Sequence, residues 1–276
     1  RGSVDCALWD APAKERLLVR DRVGIKPLYY SKNARRLLFG SELKGVLAHP
    51  EYEKDIDRTM VAQFLVVGYT VGEQTIFHGT KKVAPGHYLR VKADGDVETH
   101  RYWTIADFKR GSFSGTIDDA CEELLELCES AFAYRLVADV PVGVFLSGGT
   151  DSSLVSAVLA KRVGASLVNF TIGFSEGRFD ETTKAAKVAS QLGIEHVVQR
   201  VDPVDALEAL SVFTEIYDEP FGDTSGIPTY LLSKLAREHL TAALAASGAH
   251  QLFCACPPYF PSVHAFARAP PLPAPR

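Results

Sequence analysis

Val142-Gly-Val-Phe-Leu146 is an apolar run that opens directly into Ser147-Gly-Gly-Thr-Asp-Ser152 and then into the helix-forming stretch 152–162. A strand apolar at nearly every position expects cover on both faces, which is the habit of parallel sheets flanked by helices. The same grammar continues downstream. Strands are predicted at 167–172, 195–201 and 241–245, and helices at 181–192 (closed by Gly193), 204–216 and 228–239 (opened by Ser225 and Pro228). This alternation predicts a doubly wound parallel sheet. A helix precedes it, capped by Asp118 or Asp119 and running to about Leu136, with Cys121, Leu124, Leu125, Cys128, Phe132 and Leu136 at helical spacing.

The first hundred residues read differently. Short β-rich runs at 4–9, 16–20, 28–30 and 37–39, separated by Pro, Gly, Asn and charges, predict an antiparallel meander. A helix is predicted at 56–68 with Met60, Phe64 and Val67 on one face, then a strand at 86–91 and a turn at 93–96. The polar stretch 108–115 is the expected boundary, which gives domains at 1–107 and 108–253. The segment 254–276 is expected to be an extended or disordered tail, since it holds seven of the fifteen prolines.

Composition narrows the function classes. Hydrophobic residues make up 46% of 276, enough for real cores. The net charge of −4 and the lack of a basic run argue against a nucleic-acid partner. No apolar stretch approaches the roughly 20 residues of a membrane helix. Five cysteines without framework spacing fit a reducing, cytoplasmic setting, and Cys254-Ala-Cys256 lacks metal-knuckle spacing. The opening Arg-Gly-Ser-Val-Asp is neither a signal peptide nor a Met start, so the chain is expected to begin within a longer gene.

The loop after the apolar strand is the candidate site. Ligands of parallel sheets sit beyond the carboxyl ends of strands. Gly148 and Gly149 can take conformations closed to other residues, so that successive N–H groups converge on an anion backed by the following helix's positive end. Ser147, Thr150, Ser152 and Ser153 add hydroxyls. An ordinary turn with Asp151 as helix cap is the plain alternative. A kinase-type phosphate loop is excluded, because no Lys follows Gly149.

The string Ser-Gly-Gly-x-Asp-Ser resembles the signature of the ATP pyrophosphatase, or PP-loop, enzymes. Arg20–Tyr30, Gly40-Ser-Glu-Leu-Lys44 and Pro85-Gly-His-Tyr-Leu89 resemble the later part of the class II glutaminase domain of glutamine-hydrolysing asparagine synthetases. Val140–Ser153, Phe179-Asp-Glu181 and Tyr217-Asp-Glu-Pro-Phe-Gly-Asp223 resemble the start of their synthetase domain. The resemblance implies an α/β chain: part of an antiparallel N-terminal-nucleophile-type domain, then a PP-loop domain like the adenine nucleotide α-hydrolases. It implies an AMP-forming ligase that adenylates aspartate with ATP and Mg²⁺, releases pyrophosphate and amidates the product with ammonia from glutamine. It assigns Leu146, Ser147, Gly148, Gly149, Asp151, Ser152 and Ile172 to ATP and pyrophosphate, with Asp151 on Mg²⁺; Leu146 and Ile172 read equally as plain core. No nucleic acid or membrane is implied, and a homodimer is admitted.

Two departures qualify the resemblance. The family's glutaminase nucleophile is an N-terminal Cys whose own amine acts as base, whereas Cys6 is internal. The family's acidic loop Ser-Gly-Asp-Gly-x-Asp-Glu-Leu-Phe is represented by 245–253, where Ser247, His250 and Gln251 replace the acids. A lone His beside Gln does not replace hard carboxylate oxygens for Mg²⁺. The expectation is an incomplete and inactive copy. Two alternatives stay open: a PP-loop ligase acting on another carboxylate, as in β-lactam synthetases, and a nucleotide-binding remnant. Asp218, Glu219 and Asp223 either face substrate or lie in a solvated connector.

Overall fold

The structure, a computed structural model, describes residues 4–33, 35–108, 113–163, 166–175, 177 and 180–253. Residues 109–112 of the expected connector, Phe179 and the whole tail with Cys254 and Cys256 lie outside the described residues. The chain divides into two compact units, Arg1–Phe113 with Glu208–Ile227, and Ser114–Leu207 with Pro228–Arg276.

The first unit contains β1 (Asp5–Asp10), β2 (Glu15–Arg20), β3 (Tyr29–Lys32), β4 (Leu37–Gly40), α1 (Leu43–Leu47), α2 (Arg58–Val67), β5 (Thr80–Lys82), β6 (His87–Val91) and β7 (Val97–Arg101). The expected single meander is instead two antiparallel sheets, ordered β1-β2-β6-β7 and β4-β3-β5. The reason lies at Arg20 and Asp21. The buried Asp21 carboxylate accepts from the amides of Val23, Ile25 and Lys26 at 3.2, 3.0 and 2.9 Å, curling the chain between the sheets. The Arg20 guanidinium donates to the carbonyls of Lys26, Val83 and Gly24 at 2.8, 2.7 and 3.1 Å. Burial pulls its pKa down, with Asp21 opposing. Leu18, Leu28, Val83 and Leu89 form the core that the knot holds together.

The second unit contains α3 (Ile117–Arg135), β8 (Val142–Phe145), α4 (Thr150–Val163), β9 (Val168–Phe174), α5 (Thr182–Leu192) and β10 (Glu195–Val201). It is completed by α8 (Gly226–His239), β11 (Ala242–Leu244) and α9 (Ala249–Leu252); of the intervening helices, α6 (Pro203–Ser211) divides between the units at Leu207 and α7 (Phe213–Ile216) belongs to the first. All pairings are parallel and the order is β10-β9-β8-β11. Helices α4 and α5 bury Val155, Leu159, Ala185 and Ala189 against Val144 and Leu146 on one face. Helix α8 covers Phe170 on the other with Leu235 and Ala236. The sheet is therefore doubly wound, as its apolar strands predict.

Three details differ from expectation. Thr116, rather than Asp118 or Asp119, caps α3, with Asp119 closing a capping box. Helix α3 buries no residue fully and Cys121 is exposed, although Phe132 and Leu136 pack against the core. The helix predicted at 204–216 breaks at Val212, after the Ser211 hydroxyl turns back onto the Glu208 carbonyl at 2.6 Å. No described helix is long and apolar enough to cross a membrane.

After that break the chain folds with the first unit. Glu219 accepts from the Thr70 hydroxyl at 3.0 Å, the Ile76 amide at 3.0 Å and Lys82 Nζ at 2.9 Å. Asp218 accepts from the Leu43 amide at 2.6 Å and pairs with Lys44 at 3.4 Å. Gly222 donates to the Gly68 carbonyl at 2.8 Å, and a Cβ on Gly222 would stand 2.9 Å from Gly68 Cα. The Tyr29 hydroxyl is pushed up to about 12, first by burial and then by Glu219 and Asp218. Glu219 and Lys82 side chains are only 12% and 17% exposed, so the pair is shielded from solvent screening. Replacing Glu219→Ala removes the charge partner of Lys82, leaving it only the Thr70 oxygens, and takes the acceptor from the Ile76 amide; it is expected to cost about 3 kcal/mol. Hydrogen-exchange mass spectrometry should show lost protection across 70–82; unchanged protection there refutes the anchoring role.

Candidate functional site

In the order β10-β9-β8-β11, the chain leaves β8 toward β9 on one side and later returns at β11 on the other. The crevice at the carboxyl ends of β8 and β11 is the switch point where such sheets take ligands. Two loops open there: 146–149 after β8, and 245–248 after β11.

The first loop is locked by geometry. Gly148 has φ +75°, and a Cβ there would lie 2.6 Å from the Ala185 amide nitrogen and 2.7 Å from Lys184 Cβ. Only glycine meets both demands. The Ser147 amide donates to Ser152 Oγ at 3.2 Å, the Gly149 amide donates to Ser147 Oγ at 3.3 Å, and the two hydroxyls lie 3.0 Å apart. Ser152 Oγ also donates to the Gly149 carbonyl at 3.3 Å. The loop amides are thus held by the serine hydroxyls of the same motif. Helix α4 begins at Thr150 and runs 14 residues, with its positive end at the loop. Asp151 lies within the first turn of α4, one residue past its start.

Leu146 is 1% exposed and packs in the core with Val155 and Ala185. Ile172 packs with Phe170 on the opposite face of the sheet. The structure therefore places Ser147, Gly148 and Gly149 in the loop and Asp151 and Ser152 in the first turn of α4 that follows it, with the Leu146 and Ile172 side chains on opposite faces of the sheet.

Sequence reading missed a polar relay behind the loop. The Thr171 hydroxyl donates to the Leu146 carbonyl at 2.5 Å and accepts from His196 Nε2 at 2.8 Å. Desolvation holds the His196 pKa below its usual value, which favours the neutral ring that this chain uses. The available signal was the period-two polar set Asn169 and Thr171 inside an apolar strand.

After β11, Gly248 at φ +98° turns the chain into α9. Ser247 and Gln251 are exposed, and the His250 side chain lies outside the described ones. Among the described residues no group of three His, Cys, Asp or Glu stands ready for a metal ion. Asp218 and Glu219 are engaged in the first unit, and Asp223 caps its own turn through the Ser225 amide at 2.8 Å. Hydrogen bonding from the Thr182 side chain, and then from the Thr182 amide at 3.1 Å, lowers the Asp180 pKa at the start of α5. Cys6 lies inside β1, opposite Val19, with its nitrogen in a peptide bond, so no amine of its own serves as base.

Gly148→Ala is expected to cost about 3 kcal/mol, from the backbone conformation together with the clash at Ala185. Gly193→Ala, at φ +65° with open space around it, should cost only about 1 kcal/mol. Urea denaturation of the pair distinguishes the two; equal losses would show that the Ala185 contact carries no weight. His196 has a folded-state pKa below the unfolded one, so its contribution is present above about pH 6.5 and declines as pH falls through the folded value. Stability measured across that range should fall more steeply toward acid in the parent than in His196→Gln; parallel profiles refute the relay.

Residues 123–276 match the family profile described as asparagine synthase, and residues 1–103 match that of a glutamine amidotransferase domain. A candidate glutamine-hydrolysing asparagine synthetase of Methanocaldococcus jannaschii is 36% identical over 238 residues, covering 85% of this chain and 45% of that protein. Asparagine synthetase [glutamine-hydrolyzing] 1 of Bacillus subtilis is 32% identical over 92% of this chain and 39% of its own length. The amidase chry2 of Gibberella zeae is 31% identical over 92% and 40%. The chain spans less than half the length of these relatives. With the amidotransferase profile preceding the synthase profile over most of its length, the chain belongs to the asparagine synthase family.

Proposed function

We propose that this chain carries the nucleotide-activating half of an ATP-dependent, amide-forming ligase of the asparagine synthetase kind. Loop 147–152 would hold the β- and γ-phosphates as they leave, while the side-chain carboxylate of aspartate attacks the α-phosphorus. Ammonia derived from glutamine then displaces AMP from the acyl-adenylate. A carboxylate is a poor electrophile, and adenylation divides one difficult substitution into two easier ones. The observation that carries this reading is Gly148, held at positive φ against α5 at the mouth of β8. Fixed N–H groups facing a departing anion give stabilisation without reorganisation, worth about 3 kcal/mol per donor in well-placed cases.

Mg²⁺ fits as a companion of the nucleotide: the triphosphate would supply most of its oxygens and Asp151 one protein carboxylate, with the ion neutralising charge as pyrophosphate departs. Ser247 and Gln251, at the positions where the family carries acids, are neutral and exposed. The loop after β11 is therefore where turnover is limited. Similarity to proteins named as amidases favours, as a second reading, the same activation applied to another carboxylate.

Aspartate-dependent exchange of pyrophosphate into ATP tests these statements. The parent chain should bind ATP and exchange slowly. Ser247→Asp, His250→Asp and Gln251→Glu together should raise exchange by roughly 100-fold. Exchange that needs a different carboxylate supports the second reading. Absence of ATP binding refutes both, and an exchange rate unmoved by the triple replacement refutes the limiting role of the second loop.

A further inference from the structure

Residues of the first unit beside the β1–β2 and β3–β4 pairings and in the turn 92–96 meet around one cavity of about 880 Å³. Six of its fourteen lining residues are Lys or Arg, in a chain where only 30 of 276 are. These are Lys14, Arg16, Lys32, Arg35, Arg36 and Lys92.

Their partners are unequal. Arg36 pairs with Glu51, and Lys92 with Glu98 and Asp96. The Arg16 guanidinium lies over the Trp9 ring, 4.8 Å from its centroid. For Lys14, Lys32 and Arg35 the described residues supply no carboxylate partner. Asp94 and Asp96 also line the cavity, and Asp94 accepts from the Asp96 amide at 2.9 Å. The lining thus keeps an excess of positive charge in a protein that is negative overall. Lys14 is also the one non-glycine residue at positive φ, 53°, among the described residues.

We propose that this cavity binds a small, multiply charged phosphate compound. A concave wall of one sign focuses its field on the enclosed solvent and raises the local concentration of a counter-ion. Lysines supply point charges, and Arg35 can bind two oxygens at once. The volume suits a small ligand rather than a polymer tract. A nucleoside polyphosphate and an inorganic polyphosphate present the same chemistry, and Trp9, 55% exposed, gives only the former a ring to stack on. This site is independent of the proposed ligase chemistry.

The test is calorimetric titration of the full chain with inorganic tripolyphosphate and, separately, ATP, with Trp fluorescence followed in parallel. Tripolyphosphate should bind saturably, weaken as salt is raised and change the Trp9 signal, an assignment checked by Trp9→Phe. Lys32→Glu with Arg35→Glu should weaken binding roughly 100-fold, and Asp94→Asn, which removes no cation, should tighten it. Equal Trp9 responses to both ligands identify inorganic phosphate as the chemistry read; a larger one to ATP adds the base. No saturable binding, an affinity unchanged in both charge variants, or a Trp9 response confined to an RNA oligonucleotide overturns the proposal.

Discussion

A side chain that is not there organises the second unit. Gly148 lets the loop after β8 lie directly on the beginning of α5, where any Cβ would meet the Ala185 amide nitrogen at 2.6 Å. Because α4 starts two residues later, that contact sets the entry of α4 as well as the position of the loop. Both helices then share one buried layer, Val155 and Leu159 from α4 with Ala185 and Ala189 from α5. Core packing and site geometry are thus the same contact viewed from two sides. Packed interiors yield little to a displaced methyl group, so the loop inherits the rigidity of the core beneath it.

The first unit depends on carboxylates rather than on a missing methyl. Asp21 ties the turn between its two sheets, and Asp218 and Glu219 tie a segment that arrives from much later in the chain. A carboxylate has room for about four donors, and Glu219 already takes three. Such a group has little left to offer a substrate or a metal ion. The charged string Tyr217–Asp223, which reads in sequence as a loop of the synthetase half, is therefore structural in the unit that contains the amidotransferase profile. Twenty residues of the later chain complete the earlier unit, so the order of elements in sequence and their grouping in space part company here.

What was legible in the sequence follows from local physics. Continuous apolar strands announced the parallel sheet, and Gly148-Gly149 before a helix announced a tight strand-to-helix turn, because period and backbone freedom are properties of neighbouring residues. The break at Val212 was not legible, since it turns on one Ser hydroxyl choosing the Glu208 carbonyl. The Thr171 to His196 bond joins residues 25 apart through strand register, which no single segment encodes. The cationic cavity escaped for the same reason. Its charges are spread over strands and turns between Lys14 and Lys92, so they form no run, and a net charge of −4 hides them. Leu146 and Ile172 show the converse limit. Leu146 directly follows β8 as read, but β9 runs on to Phe174, so Ile172 lies inside its strand, and the opposite faces their side chains take follow from alternation along paired strands.

The relay behind the loop bears on how a phosphate could enter without disturbing the fold. Leu146 has both backbone groups committed, its amide to the Phe170 carbonyl at 2.9 Å and its carbonyl to Thr171. Motion can therefore begin only at Ser147. From there on, the amides of Ser147 and Gly149 are satisfied by the hydroxyls of Ser152 and Ser147. An entering phosphate oxygen can take those two amides, while the displaced hydroxyls rotate to donate to the same anion. The number of hydrogen bonds is kept and no backbone group is left bare, which spares the cost of an unsatisfied buried donor, about 1–3 kcal/mol each. The loop after β8 is thus a rigid frame whose amides are satisfied by rotatable serine hydroxyls.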